Sequence, residues 1–252
     1  MSEVVKLEHI KIACSRCNVR ELCLPEAVLD AAGLEQLDRI IISQKIVKRR
    51  DYIYRAGERF KFLYALRSGS CKTLVTDLDG YQQITGFHFP GELIGLDGIS
   101  ADEYSCDSIA LEDSKFCEIP FHELEDLSQQ LPGLLHQIYR KVSQEITQDH
   151  ELMLMISHMT AEQRVAIFLL NLSARYQSHG FSPTEFHLRM TREEIGSYLG
   201  VQHETVSRIL SKFQSQGLIK VQNRDVSLMY LSGLKNLHCS SHVKPHPTHV
   251  KA

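Results

Sequence analysis

The hydrophobic positions of this chain follow two different periods along its 252 residues. From about residue 34 to residue 120, short runs rich in β-branched and aromatic residues alternate with turn signals. Examples are FLYAL at 62–66 and CKTLVT at 71–76, with turn signals RSGS at 67–70 and DLDG at 77–80. Many short strands at this spacing predict an antiparallel barrel or roll.

A helical period replaces this pattern after residue 130. Positions on one face recur at intervals of three and four; they are Leu135, Tyr139, Val142, Ile146, Asp149, Met153 and Ile156. The pattern predicts one long helix over 131–157 with a heptad-like seam. A seam of this length usually meets a second helix. The alternative is an ordinary helix that lies on the core of its own domain.

Residues 190–221 have the pattern of two short helices joined by a tight turn. Thr191 and Glu194 form a capping box that begins the first helix. Gly200 ends it, because glycine adopts a positive φ without strain. The second helix begins near Gln202, and its outward side chains are His203, Glu204, Ser207, Arg208 and Ser211. The pattern predicts a helix-turn-helix, and the alternating segment GLIKVQNRDVSLM after it predicts a hairpin wing.

The outward side chains of the second helix have the chemistry of base readout. Arg208 can grip a guanine bidentately, Glu204 can accept from a cytosine amino group, and Ser207 can contact a base or a thymine methyl. Residues 186–225 contain six Lys or Arg against four Asp or Glu, so the segment is locally positive, as phosphate contact requires. One module specifies few base pairs, which favours a two-fold dimer on a palindrome. The alternative is two core helices without a DNA role.

Composition narrows the classes of protein that remain. The formal net charge is −3, so any basic footprint is local. The chain start lacks an uninterrupted apolar stretch, and no segment is long enough to cross a bilayer, so we expect a cytoplasmic protein without membrane contact. We find no Walker loop, GxGxxG or HExxH motif, which argues against an enzyme.

Three of the seven cysteines, Cys14, Cys17 and Cys23, lie within ten residues of each other. A reducing compartment keeps cysteines as thiols, so this density favours ligation over a disulfide. The spacing admits an iron-sulfur cluster and also a four-cysteine zinc site. A fourth ligand must be remote, and Cys71, Cys106 and Cys117 are the rivals.

Motifs along nearly the whole chain resemble the CRP/FNR family of bacterial transcription regulators, and within it the fumarate and nitrate reduction branch. The matching motifs are CxxCxxxxxC before LP, LYALRSG, QITGFH, GELIGLD, CEIPF, TREEIGSYLG and ETVSR. The resemblance implies an α+β fold with an N-terminal β-roll of the cupin-like, cyclic-nucleotide-binding-domain type, a long dimerisation helix and a C-terminal winged helix-turn-helix. The implied segments are a cysteine-rich arm (1–24), a β-roll sensor (25–130), the dimerisation helix (131–157), the DNA-binding domain (158–235) and a disordered tail (236–252).

The same resemblance implies an oxygen-labile 4Fe-4S cluster, one per chain, and its implied ligands are Cys14, Cys17, Cys23 and Cys117, the last because it lies in CEIPF. The cluster would favour a homodimer that binds a palindromic TTGAT-N4-ATCAA-like operator. Oxygen would convert it to a 2Fe-2S form, with loss of dimer and DNA affinity. The alternatives are a family member that senses thiol oxidation or zinc, and an electron-transfer iron-sulfur protein.

In the implied dimer, Tyr139, Val142, Ile146 and Met153 are the apolar contacts. Asp149 lies on the same seam, where a two-fold interface would bring two like charges together. That cost keeps association poised near balance, so a modest input can switch it. The alternative for Asp149 is a solvated helix residue.

The resemblance also separates this chain from the family branch that binds cyclic AMP. That branch uses a Gly-Glu pair and a later Arg-Ser pair. This chain keeps Gly91 and Glu92 but has Tyr104 before Ser105, so we expect no cyclic-nucleotide binding. RNA polymerase is an implied partner, at the hairpin that contains DLDGY. In the second helix of the helix-turn-helix, called the reading helix below, His203 stands where relatives often carry an aliphatic residue. The preference for the outermost base is therefore open.

Overall fold

The structure, a computed structural model, describes Cys14, Cys17, Val19, Cys23, residues 30–41 and residues 43–239. Most of the predicted arm and the histidine-rich segment 240–252 lie outside the described residues. The chain divides into two compact units, Met1–His150 and Glu151–Ala252. Within the described residues, no helix has the length and hydropathy of a membrane span.

Eight short strands form two antiparallel sheets in the first unit. They are β1 (Ser43–Val47), β2 (Tyr52–Tyr54), β3 (Phe62–Ser68), β4 (Cys71–Thr76), β5 (Gln82–His88), β6 (Leu93–Ile94), β7 (Asp107–Ala110) and β8 (Ser114–Pro120). One sheet has the order β1-β8-β3-β6 and the other β2-β7-β4-β5. Large side chains fill the core almost without exposure, among them Tyr54, Leu63, Leu66 and Phe116. The predicted β-roll is confirmed.

The described part of the first unit also contains helices α1 (Ala31–Ile40), α2 (Phe121–Gln130) and the start of α3 (Pro132–His158). Asp30 caps α1 by accepting a hydrogen bond from the Gly33 N–H at 2.8 Å. Helix α3 begins with proline at its first position, where the missing N–H is not needed. Its 27 residues confirm the long helix predicted over 131–157, and the boundary between the two units falls inside it.

The described residues of the second unit, up to residue 239, form four further helices and one small sheet. The helices are α4 (Ala161–Ser178), α5 (Arg192–Leu199), α6 (His203–Ser215) and α7 (Leu231–Cys239). The strands β9 (Glu185–His187), β10 (Ile219–Gln222) and β11 (Asp225–Leu228) pair antiparallel in the order β10-β11-β9. This is the predicted winged helix-turn-helix.

Helix α7 was not predicted, and it includes residues 236–239, which the sequence analysis assigned to the tail. It forms because Leu234 is completely buried and because the Gln163 side-chain amide donates to the Leu237 carbonyl at 3.2 Å. The complete five-segment division of the chain stays a prediction.

Candidate functional site

The four cysteines Cys14, Cys17, Cys23 and Cys117 line one cavity in the first unit. The other lining side chains are mostly apolar; they are Val19, Leu37, Ile41, Ala65, Leu66, Arg67 and Ile119. Cys117 lies on β8, where it pairs with Gln44 of β1 and Ala65 of β3. The roll therefore holds the remote cysteine rigidly, and the three early cysteines reach the same cavity.

Short-range hydrogen bonds shape the chain around the early cysteines. The Cys17 N–H donates to the Cys14 carbonyl at 3.1 Å, and the Cys23 N–H donates to the Val19 carbonyl at 3.0 Å. The Cys14 N–H donates to Asp38 Oδ1 of helix α1 at 2.6 Å. Asp38 thus ties the first cysteine to the helix that covers the cavity.

Burial and mutual proximity both favour the protonated thiols. Burial raises the pKa of Cys14 far above its ordinary value, and the carboxylate of Asp38 adds to the shift. Burial raises the pKa of Cys23 to about 12 and that of Cys117 to about 11. Cys117 contributes to the raised pKa of Cys23, and Cys17 to that of Cys117. A full set of thiolates here requires a strongly positive centre among them.

Two cationic side chains act in the opposite direction. Lys141 of α3 lowers the pKa of Cys23, and Arg67 lowers that of Cys117. Gln137, also on α3, is buried, and its side-chain amide donates to the Cys23 carbonyl at 3.5 Å. None of these residues, nor Asp38, was predicted from sequence to act on the cysteines. Arg67 lies in the quoted motif LYALRSG, whereas Asp38, Gln137 and Lys141 belong to no local motif.

The rival cysteines lie elsewhere in the roll. Cys71 is completely buried on β4, and Cys106 is buried with its thiol donating to Asp97 Oδ2 at 3.3 Å. Neither lines the four-cysteine cavity. In the part of the chain that the structure describes, no group of three or more His, Cys, Asp or Glu side chains has the geometry to hold a single metal ion.

The seam of α3 carries large apolar side chains on its surface. Tyr139, Ile146 and Met153 follow one another at seven-residue intervals and are 62%, 50% and 64% exposed. Val142 is half-buried and Asp149 is exposed. Regularly spaced apolar residues at this exposure are typical of surfaces that bind another protein chain.

Helix α5 and the turn after it have the predicted construction. The Glu194 N–H donates to Thr191 Oγ1 at 3.1 Å, and the Thr191 N–H donates to Glu194 Oε2 at 2.6 Å, which completes the capping box. Gly200 has φ of 63°. A Cβ atom at Gly196 would lie 2.5 Å from the Val201 carbonyl oxygen, so the tight turn requires glycine there as well.

Helix α6 presents the predicted polar face to solvent. Val206, Ile209, Leu210 and Phe213 are buried. The exposed side chains include His203, Glu204, Ser207 and Arg208. The imidazole Nε2 of His203 lies 3.2 Å from Glu204 Oε1. A polar face at the start of a helix that follows a tight turn is the arrangement that enters a DNA major groove.

A second cavity, of about 300 Å³, lies inside the first unit between the roll and α3. Its polar lining residues include Thr73, Thr85, His88, Asp97, Ser105, Glu145 and Asp149. Tyr104 is buried, and its hydroxyl donates to the Phe62 carbonyl at 2.8 Å. The Ser105 hydroxyl donates to Asp97 Oδ2 at 3.1 Å. Neither Lys nor Arg is among the described residues that line this cavity.

Comparison with known proteins finds relatives of both domains. Residues 44–130 match the profile of the cyclic nucleotide-binding domain, and residues 163–237 match the Crp-like helix-turn-helix domain. The transcriptional activator protein Anr of Pseudomonas aeruginosa is 42% identical over 230 residues, which is 91% of this chain and 94% of the relative. The chain belongs to the CRP/FNR family of transcription regulators. It is therefore a DNA-binding protein and not an enzyme.

Further members of the CRP/FNR family support this assignment. The transcriptional regulatory protein Btr of Bordetella pertussis is 45% identical over 94% of this chain and 98% of its own. The fumarate and nitrate reduction regulatory protein of Vibrio cholerae is 42% identical over 90% of each chain. The solved structure of FixK2 from Bradyrhizobium japonicum superimposes with a TM-score of 0.73 at 27% identity, over 79% of this chain and 98% of FixK2.

Proposed function

We propose that this CRP/FNR-family protein is an oxygen-responsive regulator of anaerobic metabolism that holds a 4Fe-4S cluster in its four-cysteine cavity. The observation that carries the proposal is the presence of Cys117 in the same cavity as Cys14, Cys17 and Cys23. Four thiols with apolar surroundings are the donor set that such clusters use. When bound, the cluster would be the group that reacts with oxygen.

Electrostatics supports this assignment of the four cysteines. The raised pKa values of Cys14, Cys23 and Cys117 mean that thiolates at these positions are costly without positive charge, which iron ions provide. Lys141 and Arg67 offset part of the negative charge of the ligand set. Reduction potential and oxygen reactivity depend on such neighbours.

The first turns of α3 contact Cys23 of the four-cysteine cavity on one side and carry the start of the seam on the other. Gln137 contacts the Cys23 carbonyl, and Lys141 acts electrostatically on the Cys23 thiol. Tyr139 lies two positions from both, so its side chain points in nearly the opposite direction. A displacement of the Cys23 backbone would therefore shift the same helical turns that carry the seam.

The seam is the proposed dimer interface, with Tyr139, Val142, Ile146, Asp149 and Met153 facing a second copy of the chain. Burying the apolar members favours association, while the paired Asp149 carboxylates oppose it. In this balance a bound cluster would favour the dimer, and its loss in oxygen would return the protein to monomers without operator affinity.

Each protomer of the dimer is proposed to read one half of a TTGAT-N4-ATCAA-like operator. Arg208 contacts guanine, Glu204 contacts cytosine, and Ser207 contacts a base or a thymine methyl. His203 replaces an aliphatic contact at the outer position. The β4–β5 hairpin, with Leu78 and Tyr81 largely exposed, is the expected surface for RNA polymerase, and the protein is expected to act in the cytoplasm.

We do not expect this regulator to respond to cyclic nucleotides. The second cavity has room for a small ligand, so its volume is not the obstacle. The obstacle is charge, because Ser105 is engaged by the carboxylate of Asp97 and Tyr104 is buried where the binding branch uses arginine. A cyclic phosphate would meet carboxylates without a bidentate cation.

Anoxic preparations of Cys117→Ser and Cys106→Ser test the assignment of the ligands. Cys106→Ser is the matched control, because a serine hydroxyl can still donate to Asp97. Cys117→Ser should lose iron, brown colour and operator binding, while Cys106→Ser should keep all three. A wild-type protein that is colourless and contains zinc in both aerobic and anoxic preparations would favour the zinc alternative. A cluster-bearing protein without operator affinity would favour electron transfer.

A further inference from the structure

The guanidinium of Arg164, on α4, joins carbonyl groups from three separate segments of the second unit. Nη2 donates to the Ile156 carbonyl at 2.7 Å, and Nε donates to the Met159 carbonyl at 3.0 Å. Nη1 donates to the Leu199 carbonyl at 2.9 Å and lies 3.4 Å from the Gly200 carbonyl oxygen. One side chain therefore connects the end of α3, the α3–α4 connection and the turn between α5 and α6.

Two of these segments are helix C-termini. Helix α3 ends at His158 and α5 ends at Leu199, so the Ile156 and Leu199 carbonyls lack the usual intrahelical partners. A cation at a helix C-terminus also interacts favourably with the helix dipole. The planar guanidinium fork, with its fixed directions, can satisfy both ends at once, which the single ammonium of lysine cannot do with the same geometry.

Close packing accompanies these hydrogen bonds. A Cβ atom at Gly200 would lie 3.4 Å from Arg164 Nη1 and 3.6 Å from Ile156 Cγ2. The turn that aims the reading helix thus lies directly against the last seam residue of α3. On the reading helix itself, Lys212 forms an ion pair with Glu162 of α4 at 2.5 Å.

We infer that Arg164 is a positioning residue that fixes the direction of the reading helix relative to the C-terminal turns of α3. Two reading helices must meet half-sites about 34 Å apart, so any freedom at this junction must be lost on binding. Locking the junction beforehand increases operator affinity and makes it dependent on half-site spacing. This inference rests on the dimeric operator binding proposed above, but not on the cluster.

The test compares full-length wild type with Arg164→Met, Arg164→Lys and Lys235→Met in anoxic solution. Methionine keeps an apolar chain without donors, and lysine keeps the charge without the fork. Lys235, exposed on α7, controls for the loss of one positive charge from the second unit. Fluorescence anisotropy measures binding to the TTGAT-N4-ATCAA duplex, to duplexes with the spacer changed by one base pair, and to a single half-site.

Arg164→Met should weaken binding to the correct palindrome about fivefold or more, which is a typical coupling effect. The difference in affinity between the correct spacer and the altered spacers should become smaller. Arg164→Lys should fall between wild type and Arg164→Met, and Lys235→Met should keep the wild-type spacer preference. Half-site binding should stay unchanged in Arg164→Met. An unchanged spacer preference, or an equal loss of half-site binding, would overturn the inference. Failure of the proposed function would instead show as wild type binding the palindrome no tighter than a half-site.

Discussion

Replacing Ile146 by alanine removes a seam side chain that the proposed dimer buries. The side chain is 50% exposed, and complete burial of such a side chain is worth about 1.5–3 kcal/mol. Covering the exposed half therefore contributes about 0.8–1.5 kcal/mol in each protomer. Because two-fold symmetry applies the change twice, the dimer should lose about 1.5–3 kcal/mol, or about 10- to 150-fold in dissociation constant.

Sedimentation equilibrium of the anoxic, cluster-bearing protein measures this dissociation constant. Leu154→Ala is the matched control, because Leu154 is 40% exposed on the same helix but lies beside the seam, next to Met153. It should leave the dimer within about twofold of wild type, as expected for a position without interface contact. Thermal unfolding of both variants checks that the fold is retained. Equal weakening by both substitutions, or none from Ile146→Ala, would refute the seam as the interface.

Three further predictions concern the seam, the reading helix and the four-cysteine cavity. Asp149→Ala removes the like charges from the seam, so it should strengthen the cluster-free dimer about tenfold or more by light scattering; an unchanged monomer would argue for a solvated Asp149. Arg208→Ala should cost roughly 1–3 kcal/mol of operator affinity in gel shifts, and an equal loss on DNA without the guanine would contradict base readout. In metal-free protein, burial raises the pKa of Cys23 to about 12 and of Cys117 to about 11, so the reactive thiolates form only at high pH. Their alkylation rates should keep rising past pH 9, and a plateau at pH 9 would contradict the burial.

The elements that could be predicted from sequence are those with strong local signals. Helix α3 has an uninterrupted heptad pattern, and α5 has its capping box and terminal glycine, so both were placed within a residue or two. Helix α7 lacks such signals. It depends on the burial of Leu234 against residues distant in sequence, which no local pattern reveals.

The same distinction applies to the candidate site. The spacing of Cys14, Cys17 and Cys23 is local, so it pointed to ligation directly. The fourth cysteine could be chosen from sequence only by family resemblance, because Cys71, Cys106 and Cys117 all lie in the segment 34–120, for which short strands were predicted throughout. What separates them is the strand register that turns Cys117 toward the cavity, and register depends on pairing partners far along the chain.

Contacts that reach across the chain were also beyond local patterns. The contact between Gln137 and Cys23 joins residues 114 apart, and the Arg164 contact with Leu199 joins residues 35 apart. Each depends on how whole helices pack. Their functional meaning therefore emerges only when the elements are assembled.

The most direct test of the central claim measures iron, acid-labile sulfide and molecular mass on one wild-type sample before and after exposure to air. The account predicts about four iron and four sulfide per chain in an anoxic dimer that binds the operator, as a 4Fe-4S cluster requires. Air should bleach the colour and leave monomers without operator affinity. A colourless anoxic protein without sulfide, or a brown one whose mass and DNA binding do not change in air, would contradict the account.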